Sequence, residues 1–240
     1  MWWGGSKPLD LYLGTRSSRL CDGERVLWQV QTEGAPQSLA AAQARLAQGQ
    51  QPRRPRLRVW CSGGLCRPFI LPAVAGVGSR VELEQIAIAS APAMTGLSGP
   101  CRVWLDYAAS PAGTMSVAVE GAWLDDVRQQ LGGCARIVSI RPWWTEALRV
   151  GLRAVPVPAV IGIQDCDSLV ILAGAETGFD FATAMTPLSA PLQATQAWTR
   201  ALFSANLEGQ PCWRVRLKPE ADAMPGLAGC TLEACVEVTT

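Results

Sequence analysis

LDLYLGTRSSRL, residues 9–20, decides how the rest of this chain is read. An apolar run ends at Gly14, small hydroxyl residues follow at Thr15, Ser17 and Ser18, and the chain turns apolar again at Leu20. Glycine and short hydroxyl side chains leave backbone N–H groups uncovered, so such a strand–turn–strand unit can gather them around an anion. The same composition is also ordinary punctuation between two strands. The choice between these readings depends on what stands around the turn.

Outward from that stretch the chain alternates strand and helix signals. Asp22-Gly23 between the runs 19–22 and 26–30 is a hairpin signal. Residues 37–48 are alanine-rich and predict a helix. A strand at 56–61 turns at Ser62-Gly63-Gly64 and returns through 66–72, which predicts a second hairpin. Ser79 followed by Glu82 is a capping-box signature, and its helix is expected to reach about Ala93. Runs at 101–108 and 114–120 predict a third hairpin. An amphipathic helix follows at 121–133, with Trp123, Leu124, Val127 and Leu131 on one stripe. A strand at 135–140 and a helix at 142–152 close this part. Strands at 159–164, 168–174 and 177–184 then repeat the opening meander, followed by a helix at 190–207 and two final strands. The architecture is mixed α/β with a duplicated order of elements.

Composition narrows the function classes. With 240 residues, 49% apolar and 17% charged, the chain can fill a core and does not read as disordered. A net charge of +1 supplies no global field for nucleic acid or an anionic bilayer. Histidine is absent, which removes Ser-His-Asp and Cys-His catalysis and histidine metal sites. No apolar run reaches the ~20 residues of a membrane span, and MWWGGSKPLD lacks the basic start of a secretory leader. The expected location is therefore cytoplasmic, and nine cysteines, an odd number, agree with a reducing compartment.

Three stretches carry a resemblance: LDLYLGTRSSRL, then RVWCSGGLCRPFILP with SRVELEQIAIASA, then SVAVEGAWLDDVRQQLGGCARIVSIRPWWTEAL. Their order resembles the actin-like, ribonuclease H-like fold, and specifically its bacterial branch with a small inserted subdomain. That branch holds the type IV pilus M protein and the cytoplasmic part of the type II secretion L protein. The resemblance implies a first half over 1–152 with the insertion at about 56–107, and a truncated second half over 153–240. It implies a phosphate loop at the opening stretch, in which Gly14 matches the loop glycine and Thr15, Ser17 and Ser18 match its hydroxyls. Tyr12 stands where active members carry the aspartate that organises magnesium. Asp10 lies two residues away, a displacement of ~6.6 Å along a strand, too large for a magnesium shell of ~2.1 Å. In the second loop, VIGIQDCDS, Gly162 falls at the aspartate place and Gln164 at the glycine place. The adenosine Gly-Gly pair has no evident counterpart in RLKPEADAMPGLAGCTL.

The loop shape is thus expected to persist without the ATPase chemistry. The expected function is a non-catalytic scaffold of a pilus or secretion inner-membrane platform, with no cofactor, no metal, no nucleic acid and no membrane span of its own. Its expected partners are an inner-membrane assembly protein or the assembly ATPase, which would hold it at the inner membrane. The alternative is a nucleotide-binding actin-like ATPase using ATP and magnesium, with Asp10 as its carboxylate.

Other features take plainer readings. Cys61/Cys66 and Cys230/Cys235 share a spacing that four zinc-bound thiolates could exploit, but residues five apart on a strand face opposite ways, so core cysteines are expected. PRRPRLR, 52–58, is either a solvated linker or a contact for an acidic partner or lipid headgroup. Asp125-Asp126 suits a helix N-terminus. Of ten tryptophans, the pairs Trp2-Trp3 and Trp143-Trp144 stand out. Adjacent helical residues point ~100° apart, so one of each pair is expected at a partner surface or over a domain seam.

Overall fold

The computed structural model describes residues 7–23, 25–48, 54–106, 113–151, 159–175, 178–185, 191–207, 212–217 and 230–235. The opening meander is β1 (Leu9–Leu13), β2 (Ser17–Asp22) and β3 (Arg25–Gln31), followed by α1 (Ala35–Gln48) and β4 (Arg56–Cys61). Then come β5 (Arg67–Leu71), α2 (Arg80–Thr95), β6 (Cys101–Leu105), β7 (Thr114–Glu120), α3 (Gly121–Gly132), β8 (Arg136–Pro142) and α4 (Trp143–Gly151). The last part holds β9 (Ala159–Gln164), β10 (Leu169–Ala175), β11 (Gly178–Met185), α5 (Pro191–Ser204), β12 (Cys212–Leu217) and β13 (Cys230–Cys235).

These strands form three sheets. The first is ordered β3-β2-β1-β4-β8 and the second β11-β10-β9-β12-β13, so each is a meander whose first strand takes the fourth as a neighbour. β1 and β9 each pair antiparallel with the next strand and parallel with the later one. The sheets differ at the far edge, where β8 runs parallel to β4 and β13 antiparallel to β12. All five residues of β1 are buried, because strands flank it on both sides and both sheet faces are covered.

Helix formation follows local patterning. α1 buries Ser38, Leu39, Ala42 and Leu46, and α3 buries Gly121, Leu124, Val127 and Leu131. These are single stripes at helical spacing, and the two helices pack together over the first sheet. At the start of α2, Ser79 Oγ accepts from Glu82 N–H at 3.2 Å. Glu82 Oε2 accepts from Gly78 N–H rather than from Ser79, so the capping box is displaced by one residue. α2 runs on past Ala93 through Pro92 and stops at Gly96, whose φ of 69° is left-handed.

One expectation is corrected. The strands 56–61 and 67–71 do not form a hairpin. Leu65 N–H and Cys66 N–H both donate to Ser62 O, coiling residues 62–66 into a helical turn that redirects the chain. β4 therefore enters the first sheet between β1 and β8, while β5 pairs with β7 in a separate three-stranded sheet, β5-β7-β6. That small sheet, with α2 upon it, draws on residues 67–120.

The main core draws on both five-stranded sheets, with Leu11, Leu13, Leu57 and Val59 from the first and Ile161, Ile163, Val170 and Leu172 from the second. The opposite face of the second sheet is covered by α5. There a Cβ on Gly162 would collide with the indole ring of Trp198, so glycine at 162 is what lets the helix settle on the strand. Gly162→Ala is expected to lower stability by about 1–3 kcal/mol, read by urea unfolding. Adding Trp198→Leu should make the double variant less destabilised than the sum of the two single changes.

Candidate functional site

The turn after β1 and the turn after β9 meet face to face. Each lies at the end of a central strand of its own sheet, which is why two segments 150 residues apart in sequence come together. The first turn is closed by Gly14 N–H donating to Ser17 O at 2.7 Å. It then presents its remaining donors to the second. Thr15 Oγ1–H and Arg16 N–H both donate to Asp167 Oδ2, each at 2.9 Å. A Cβ on Gly14 would fall against the same carboxylate oxygen, so this glycine is required for the approach.

Asp165 makes a second link. Its Oδ2 accepts from Gly63 N–H at 3.0 Å, in the turn after β4. Its Oδ1 accepts from Asp167 N–H at 3.0 Å and Ser168 N–H at 2.7 Å, which closes its own turn. Asp165 thus closes its own turn and also crosses to the first sheet's side, whereas Asp167 accepts from across the seam. Anionic acceptors with N–H and O–H donors away from water make strong hydrogen bonds.

Electrostatics at the seam follow from burial. Asp165 has its carboxyl pushed up to about 7, first by burial and then by the negative charge of Asp167; the hydrogen bonds from Gly63, Ser168 and Asp167 oppose the shift. Tyr12, 1% exposed, lies beneath the turn. Burial raises its phenol well above the usual range, and Asp165 and Asp167 add to that. Tyr12 Oη, Ser62 Oγ and Ser168 Oγ are buried here without a hydrogen-bond partner among the described residues.

The remaining sequence candidates fall as follows. Ser17 lies beside Gly14. Ser18 turns the other way and donates its hydroxyl to Ser38 O at 2.7 Å, tying β2 to α1. Asp10 is buried and accepts from Arg58 Nη2 at 2.7 Å and Trp60 Nε1 at 2.8 Å, so its carboxylate is committed within the first sheet. Trp143 and Trp144, expected at a partner surface or over a domain seam, are both 1% exposed. α4 is wedged against β8 of the first sheet and β9 and β12 of the second, so side chains 100° apart both point inward. Trp144 Nε1 donates to Cys66 O at 2.9 Å. The Trp2-Trp3 pair lies outside the described residues. Cys61 and Cys66 do not face opposite ways, because the turn between them brings the two thiols together. Both are buried and free. Among the described residues no cluster of three or more Cys, Asp or Glu is arranged to hold a metal ion.

Asp167, Arg16 N–H and Gly63 are the site residues that sequence reading missed. A signal was present: one tight turn rarely uses two carboxylates, so the second acid of Asp165-Cys166-Asp167 was free to bond elsewhere.

Two sheets of this order, with hairpin turns facing each other between them, define the actin-like class of fold. Solved structures agree. The chain is similar to the cytoplasmic domain of EpsL, an inner membrane component of the type II secretion system of Vibrio cholerae, at 14% identity and TM-score 0.50, covering 88% of this chain and 83% of that one. It is similar to a chain of the PilM-PilN type IV pilus biogenesis complex at 15% identity and TM-score 0.57, covering 87% and 81%. A Bacteroides thetaiotaomicron protein of actin-like ATPase fold and unknown function matches at 8% identity and TM-score 0.52, covering 86% and 80%. No protein-family model and no curated protein sequence matches the chain.

Two outcomes test the seam. Asp167→Ala leaves two donors without an acceptor and should cost about 2–3 kcal/mol, while Asp167→Asn keeps an acceptor oxygen and should cost much less. The second outcome concerns pH. Folded Asp165 holds a proton that the unfolded chain releases above its usual carboxylate range near 3.9. Its contribution to stability therefore falls as pH rises from about 4 to about 7 and is flat above that. Asp167→Asn removes the neighbouring charge, the second cause of the shift, and should reduce the slope of the melting-temperature profile between about pH 4 and 7; an unchanged profile would refute the assignment.

Proposed function

We propose that this chain is a non-catalytic actin-like scaffold in the inner-membrane assembly platform of a bacterial type IV pilus or type II secretion machine. It acts through protein–protein contacts, on the cytoplasmic side, and reaches the membrane through an inner-membrane assembly protein or the assembly ATPase. In this reading the chain has two related halves, one built on each five-stranded sheet, with the small sheet of 67–120 inserted in the first.

One observation carries the non-catalytic part. The donors that would cradle a phosphate, Thr15 Oγ1 and Arg16 N–H, are already held by Asp167. A nucleotide would have to displace a buried carboxylate from two hydrogen bonds. Tyr12 occupies the position of the magnesium-organising aspartate, and Asp10 is bonded to Arg58 and Trp60. The assembly role draws support from the structural likeness to EpsL and to the PilM-PilN complex, both parts of envelope machines. No helix among the described residues is long and apolar enough to cross a membrane, which fits recruitment by partners.

Calorimetric titration with ATP and magnesium tests the first part. No heat is expected up to millimolar nucleotide, and micromolar magnesium-dependent binding overturns it. Deleting the gene in its source bacterium tests the second. Loss of surface pili or of type II secretion, restored by the intact gene, is expected; unchanged piliation and secretion overturns the role.

A further inference from the structure

The outer edge of the first sheet carries an arrangement that the seam does not use. β8 is the last strand, and no strand pairs with its outer side among the described residues. In the β4–β8 register Arg56 lies opposite Arg136, Arg58 opposite Ser139 and Trp60 opposite Arg141. Arg136 and Arg141 are five residues apart, an odd separation that places side chains on opposite faces of a regular strand. The register shifts by one residue beside Leu57/Arg58, and this bulge puts both arginines on the face of Arg56 and Arg58. Ile137 and Ile140 thereby stay opposite Leu57 and Val59 and pack on the core.

The result is a row of guanidinium groups along an open edge. Arg56, Arg136 and Arg141 are exposed, and Arg54 extends the row while donating to the neutral carbonyl of Gly132. Arg58 is paired with buried Asp10. Like charges directly opposite on neighbouring strands destabilise a sheet, and Arg56 faces Arg136. The whole chain carries a net charge of only +1, so this density is local. Between the arginines Val138 is 45% exposed.

We propose that the β8 edge is a docking site for an acidic extended segment of a partner protein, which adds to the first sheet as a further strand. Along β8 the shared face carries Arg136, Ser139 and Arg141, so carboxylates four positions apart on an added strand, ~13 Å at ~3.3 Å per residue, meet Arg136 and Arg141, with Arg56 and Arg58 one strand further in. Planar arginines, which bind carboxylates in a two-pronged geometry, suit such an anion. The unpaired strand edge supplies main-chain hydrogen bonds. An anionic lipid surface is the less favoured occupant, because among the described residues the edge has no exposed aromatic or long apolar anchor beside its arginines. The proposal names partner chemistry for the scaffold reading, yet it stands on this surface alone, so the two can fail separately.

The test uses the full chain and a fluorescent peptide of four Glu-Thr repeats, with a Gln-Thr peptide as control. Saturable binding of the acidic peptide is expected, weakened at least about tenfold in Arg136→Glu/Arg141→Glu and by added salt. Amide exchange should slow across 136–142 on binding, and an unchanged melting temperature shows that the double variant still folds. Four results would each overturn the proposal. They are no saturable binding at about 1 mM peptide, equal binding by the double variant, binding without protection at 136–142, or phosphatidylglycerol vesicles binding through these arginines while the peptide does not.

Discussion

The Asp167 carboxylate, held by the Thr15 hydroxyl and the Arg16 amide, is the contact on which the arrangement of the two large sheets depends. It joins residues about 150 positions apart at the point where the two central strands end. A buried N–H or carboxylate without a partner costs more than the bond itself gains. The seam therefore specifies one relative placement of the sheets: any sliding leaves Asp167, Arg16 or Gly63 unsatisfied. Apolar packing between the sheets, through Trp143 and Trp144, is compatible with many small shifts, and the hydrogen bonds select among them.

The price of that specificity is concentrated on Asp165. It accepts three N–H bonds while buried beside a second carboxylate, and these bonds do not fully offset burial and repulsion. Glycines at 14 and 63 are part of the same constraint. A Cβ at Gly14 meets Asp167, and one at Gly63 meets Val170 and Ser168, so both turns are bare where the aspartate turn presses against them. Tyr12, buried under the turn, completes the packing with its ring.

Local elements were legible in the sequence, and long-range pairings were not. The run AVIGIQ forms the strand expected, Asp22-Gly23 turns the first hairpin with a φ of 58° at Gly23, and the Leu124, Val127 and Leu131 stripe faces the core. Each of these signals is complete within a few residues. The β4 strand was misassigned because Ser62-Gly63-Gly64 looks like a hairpin turn at short range, whereas the parallel partners of β4 lie across a helix in one direction and some 80 residues away in the other. The opening turn was legible as a donor loop or as ordinary punctuation, and nothing local could choose between them, because its acceptor lies in another sheet. The bulge that aligns Arg136 with Arg141 is equally invisible, since it exists only relative to the strand beside it.

A loop that converges N–H donors on one point needs an anion there, whatever its history. If the anion is a bound nucleotide, the loop is satisfied only while the ligand is present, and the two sheets can open and close around it. If the anion is a side chain, the loop is satisfied permanently and the sheets are held closed. In this chain Asp167 is that side chain, with the Thr15 hydroxyl and the Arg16 amide each 2.9 Å from its Oδ2. In the scaffold reading proposed above, this internal carboxylate takes the place of a nucleotide and holds the two sheets together. The open sheet edge lined by Arg136 and Arg141 then recognises a partner without rearrangement of the scaffold itself, which lowers the cost of binding.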